Sequence, residues 1–122
     1  MIRIAHRGNR NGPNHIKENT KKYIEEALAE GYHVEVDVWV KDWCYHLGHD
    51  GPMDLIARAF LQNPKLICHA KNMEALMMML QDGIHCFWHE GDECALTSQG
   101  LIWKYPEVYD KDGLWGVCGD YV

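Results

Sequence analysis

No apolar run in this 122-residue sequence approaches the roughly 20 residues that a helix needs to cross a bilayer. The opening "MIRIAHRG" lacks the apolar core of a secretory signal, so a cytoplasmic protein without stable membrane insertion is expected. Basic charge is scarce as well: 12 Lys and Arg against 18 Asp and Glu give a net charge of −6. Nucleic acids and anionic membranes select a basic face, so this balance argues against general affinity for either. A local basic pocket for one phosphate remains open. The five cysteines are odd in number and none forms a CxxC pair, so reduced thiols are expected and a structural zinc site is not. Cys68, Cys86 and Cys118 sit inside apolar runs, where cysteine acts as a small hydrophobe. Glycine-rich phosphate loops of the Walker or dinucleotide type are missing too. The length allows a single domain, residues 1–122, around one core.

What is present alternates between two periods. "IRIAH" (2–6) reads as a short buried strand, and the turn formers of "NRNGPNH" (9–15) as a loop. Residues 18–31 have a helical pattern, with Tyr23, Ile24, Ala27 and Leu28 on one face and Gly31 placed to end it. "HVEVDVWV" (33–40) alternates strictly: Val34, Val36, Val38 and Val40 on one side, Glu35, Asp37 and Trp39 on the other. A strand running into a turn follows at "WCYHLGHDGP". Residues 53–63 look helical, 65–71 form a buried strand, and 72–83 another helix with Met77–Met79 in its core-facing part. Residues 84–90 and 113–122 read as the closing strands. Strands alternating with short helices predict βαβ units and a mainly parallel sheet.

The polar residues collect at one place in this pattern. His6 and Arg7, Glu35 and Asp37, His69 and Lys71, and His89 and Glu90 fall at or near strand C-terminal ends, the edge where parallel α/β folds bind ligands. Glu35 and Asp37 are the sharpest signal. Two carboxylates on one face of an apolar strand repel unless a cation lies between them, and oxygen ligands suit Mg²⁺, Ca²⁺ or Mn²⁺. The alternatives are a solvated strand face or salt bridges to Arg7 or Lys71; the cost of burial favours metal. His6 and His49 each end a strand-like run, and two facing histidines can serve as general base and acid near neutral pH. His15, His33, His46 and His85 are better read as structural or surface residues. Arg7 and Lys71 act either as charge balance or as an anion clamp on phosphate oxygens.

In order, "HRG", "ENT", "EVDV" and "HDGP" resemble the glycerophosphodiester phosphodiesterase family, relatives of the phosphatidylinositol phospholipase C-like enzymes. The resemblance is continuous over residues 2–52, and "GVCGDYV" resembles the family's last barrel strand. It implies a divalent-metal phosphodiesterase acting on a small phosphodiester. His6 and His49 are then the acid–base pair, Arg7 contacts phosphate, and Glu35 and Asp37 bind metal. Glu18 and Asn19 build the phosphate side, and Lys71 matches the lysine ending the third strand. Two departures stand out. The family's metal-binding glutamate before that lysine is His69 here, an uncharged ligand that lowers affinity for Mg²⁺ or Ca²⁺ or favours softer ions. The chain is also half the length of an eight-fold barrel, about 250 residues. The resulting expectation is a truncated TIM-barrel-like βα repeat fold with about five mainly parallel strands. Its apolar edges at 65–71 and 84–90 either pair with each other or are covered in a homodimer.

Overall fold

A computed structural model describes residues 1–106 and 113–122. The strands and helices run β1 (Ile2–His6), α1 (Lys21–Ala29), β2 (His33–Lys41), β3 (Cys44–Leu47), β4 (Asp54–Leu55) and α2 (Arg58–Leu61). They continue as β5 (Leu66–Ala70), α3 (Met73–Gln81), β6 (Cys86–Phe87), β7 (Ala95–Leu96), β8 (Ile102–Lys104) and β9 (Gly116–Gly119).

The alternation in β2 organises the molecule. Val34, Val36 and Val38 are fully buried against Ile24 and Ala27 of α1 and Ala75 and Met79 of α3. The opposite face packs a second apolar cluster, Ile4, Ile67, Phe87, Ala95, Trp103 and Cys118, one residue from each of six strands. Both faces of β5 are therefore occupied, which is why it reads as a near-continuous apolar run. Thr20 caps α1 through Tyr23 N–H and Asn72 caps α3 through Ala75 N–H at 3.0 Å. Asn72 also clamps β2, accepting from Val40 N–H and donating to its carbonyl. Gly31 and Gly83 follow the two helices with positive φ, as a left-handed helix stop requires.

β1 lies between β2 and β9, parallel to both; β2–β5, β5–β6 and β8–β9 are also parallel. β2–β3, β3–β4 and β7–β8 are antiparallel. This corrects the expected truncated TIM-barrel-like βα repeat of five mainly parallel strands: the described residues form one mixed nine-stranded sheet. Helices connect strands only up to β6, and none follows α3 among the described residues. The physical reason lies in hydrogen bonding at the edges. β3 folds back on β2, and β7 and β8 pair beside β9, supplying short strands that cover an otherwise open sheet.

Residues 53–63 show the same effect locally. Their apolar spacing predicts a helix, yet Met53 and Ile56 N–H bond the carbonyls of Leu47 and Tyr45, drawing 54–55 into β4. Only one turn of helix survives, in α2. Within the methionine run Met79 is buried, whereas Met77 is exposed, correcting its assignment to the core. The edge at β5 pairs with β6 in the same chain, and Ser98 N–H reaches on to the Cys86 carbonyl at 2.8 Å. No helix among the described residues is long and apolar enough to cross a membrane.

Candidate functional site

The register of the parallel strands sets His6 beside Glu35 and Asp37 beside His69. Their side chains meet in a cavity of about 120 Å³ that Arg7, His49 and Tyr105 also line. Residues separated by over 60 positions in the chain thus share one end of the sheet.

Asp37 is the hub. It is 1% exposed, and Asn19 holds it from two sides: Asn19 Nδ2 donates to Oδ2 at 2.9 Å, and Asp37 N–H donates to Asn19 Oδ1 at 2.9 Å. Arg7 Nε lies 3.2 Å and His49 Nδ1 3.3 Å from Oδ2, while His69 Nδ1 stands 3.2 Å from Oδ1. Burial pushes its pKa upward, but hydrogen bonds from His69 and Asn19 and the Arg7 charge win, leaving the carboxyl well below its usual range. Asp37 is an anion in this fold.

Glu35 has the opposite environment. It is 2% exposed, and its Oε1 is buried without a hydrogen-bond partner. His6 Nε2 is 3.7 Å away and His69 Nδ1 3.9 Å, both too far for a good hydrogen bond. Burial and the Asp37 charge raise its pKa well above the carboxylate range. An orphaned carboxylate oxygen this deep is costly unless something else occupies the space. Glu35, Asp37 and His69 each present one ligand atom, all within 4.8 Å of one another, so the cluster could hold a metal ion. The donor set fits a divalent cation.

Arg7 sits where the chain turns sharply, with φ of 58° and its N–H on the Glu35 carbonyl at 2.8 Å. Its Nη1 donates to Glu18 Oε1 at 3.2 Å and Nη2 lies 3.3 Å from His49 Nε2. Glu18 also accepts from Asn9 Nδ2 and Asn14 N–H, so its carboxylate serves to hold Arg7 and the loop. Burial opposes these bonds but they prevail, and the Glu18 pKa falls below normal. Lys71 follows β5 with its N–H on the Val38 carbonyl. Its charge favours ionised Glu35, yet it makes no ion pair among the described residues and does not line the cavity.

Asp120, Asn9 and Tyr105 escaped the sequence reading. Asp120, just past β9, accepts from His6 Nδ1 at 2.9 Å, from Asn9 Nδ2 at 2.9 Å and from Tyr105 Oη at 3.0 Å. The Tyr105 ring packs on His6 with centroids 4.4 Å apart. A carboxylate on Nδ1 fixes the tautomer and leaves Nε2 facing the cavity. Burial dominates and carries the His6 pKa below the ordinary histidine value despite Asp120, which favours neutral imidazole. The available signal was position: Asp120 is a polar residue at a strand's C-terminal end, like those already singled out.

His49 is delivered by the "GHDG" turn. Gly48 has φ of 155°, and a Cβ there would run into the Gly51 carbonyl oxygen. Gly48→Ala is therefore expected to distort the turn that presents His49 and lower the melting temperature by several degrees, roughly 1–2 kcal/mol. Differential scanning calorimetry would read this, and an unchanged melting temperature would show that the turn relaxes freely.

No family model, curated protein or solved structure matches the chain.

Proposed function

We propose that this protein is a metal-dependent phosphodiesterase acting on a glycerophosphodiester or a related small phosphodiester. One observation carries the reading: two imidazoles, each held by a carboxylate, face one cavity together with the Glu35–Asp37–His69 cluster and Arg7. When bound, a divalent cation polarises the phosphoryl group and stabilises charge on the attacking and leaving oxygens. His6, neutral and with Nδ1 committed to Asp120, accepts through Nε2 the proton of the attacking water or substrate hydroxyl. That oxygen forms the new bond to phosphorus as the ester P–O bond breaks. His49, with Nδ1 held by Asp37, gives a proton to the departing alkoxide from Nε2 once Arg7 Nη2, 3.3 Å from that nitrogen, turns to the phosphate. Arg7 faces the same cavity and offers guanidinium N–H groups to the non-bridging oxygens.

A second reading is a catalytically weakened protein that binds a phosphate ester or metal. Arg7 already divides its charge between Asp37 and Glu18, which favours this alternative. A hydrolysis screen of glycerophosphodiesters, lysophospholipids and cyclic phosphates with added Mg²⁺, Ca²⁺ or Mn²⁺ separates them. Turnover lost with chelator supports the enzyme. Binding without turnover on any diester assigns the second reading.

A further inference from the structure

We infer that His69 makes this a transition-metal centre, ligated through Nδ1 and selecting Co²⁺ or Zn²⁺ over Mg²⁺ and Ca²⁺. The inference rests on the metal cluster of the proposed function and adds the identity of the ion class and of the ligand atom.

Three contacts fix the imidazole. Its Nε2 is 3.3 Å from the His89 carbonyl oxygen, which can only accept, so Nε2 donates there. The Phe87 ring stacks on it with centroids 4.8 Å apart and planes 14° from parallel. Nδ1 is thereby turned toward two carboxylates, 3.2 Å from Asp37 Oδ1 and 3.9 Å from Glu35 Oε2. Without an ion, Nδ1 donates to Asp37 Oδ1; an ion in the cluster displaces that proton and takes up the Nδ1 lone pair. A proton on Nδ1 satisfies Asp37 alone, since Glu35 Oε2 at 3.9 Å is beyond hydrogen-bond reach. An ion shared by all three satisfies both. Ligand atoms about 2.1 Å from one ion stand roughly 3.4 Å apart in a tetrahedral set; the 3.2 Å separation matches this, and the 3.9 Å separation closes by about half an ångström on binding. An N–H donated to a backbone carbonyl is also the usual outer support of a metal-binding histidine.

Imidazole nitrogen discriminates between ions where carboxylate oxygen does so weakly. Mg²⁺ and Ca²⁺ take hard oxygen ligands, while Co²⁺ and Zn²⁺ accept nitrogen readily.

Long-range ¹H–¹⁵N correlation of the histidine rings in the metal-free full chain tests this with ZnCl₂ as probe. One equivalent is expected to move the His69 Nδ1 resonance while Nε2 stays protonated. Calorimetric titration with CoCl₂ and MgCl₂ completes the test. His69→Glu is expected to gain at least about tenfold in Mg²⁺ affinity and to lose selectivity for Co²⁺, and His69→Gln to weaken Co²⁺ without strengthening Mg²⁺. An unmoved Nδ1 resonance, or equal Co²⁺ preference in wild type and His69→Glu, overturns the inference. Because neither readout needs turnover, Nδ1 ligation without hydrolysis would uphold the metal class and reject the phosphodiesterase.

Discussion

Asp37→Asn is expected to lower folding stability by about 3 kcal/mol, whereas Glu35→Gln, two residues away on the same strand, is expected to raise it in the metal-free chain. The first figure is the low end for breaking a buried ion pair, because Glu35 stands near enough to take over part of the Arg7 charge. Asp37 is an anion with four partners, and asparagine cannot balance the Arg7 guanidinium. Glu35 must take up a proton to be buried at neutral pH, and a neutral amide of the same shape avoids that cost, roughly 1 kcal/mol or more.

The pH dependence follows with opposite signs. The Asp37 pKa is depressed in the fold, so its stabilisation is complete above the unfolded value and is lost as pH falls. The Glu35 pKa is raised, so the folded state keeps a proton that the unfolded chain releases, and stability falls as pH climbs past the ordinary carboxyl range. The advantage of Glu35→Gln is therefore greatest at neutral pH and disappears below about pH 4. Urea titrations in chelator at both pH values would show it. Both variants shifting stability in the same direction would refute the division of charge described here.

The second large effect concerns the histidines. His6→Ala is expected to reduce turnover by about 10²–10⁴-fold, the usual contribution of a general base, and to lower the melting temperature modestly through the lost Asp120 bond and Tyr105 packing. His49→Ala should lose a comparable factor. Asp120→Asn should cost less, since His6 remains but loses the carboxylate that fixes its tautomer. Steady-state kinetics on the best substrate of the screen would measure all three. Full activity in His6→Ala would remove that residue from the proposed chemistry.

Much of the site was legible because strand alternation is a strong signal. Four valines interleaved with Glu35 and Asp37 can only place both carboxylates together on one face. Histidines at strand ends were visible for the same reason. Asp120 and Tyr105 were not, since β8 and β9 span three and four residues, too few to display a period. The role of Asn19 was hidden differently. Its clamp on Asp37 depends on a left-handed backbone at φ of 59°, which brings the amide alongside β2 and leaves no mark in spacing. The fold misled most at residues 53–63, where a helical pattern yielded to backbone bonds from β3. Non-local pairing outweighs a short stretch of propensity.

The most direct test joins the carboxylate pair to the chemistry in one comparison. Metal-stripped wild type and Glu35→Gln are each incubated with a glycerophosphodiester, and ³¹P NMR follows the sample before and after one equivalent of Mn²⁺, with chelator added before detection. The account predicts a product, phosphomonoester from attack by water or cyclic phosphodiester from attack by a substrate hydroxyl, only in the wild type and only after Mn²⁺. Equal product from Glu35→Gln, or product formed without added metal, would contradict it.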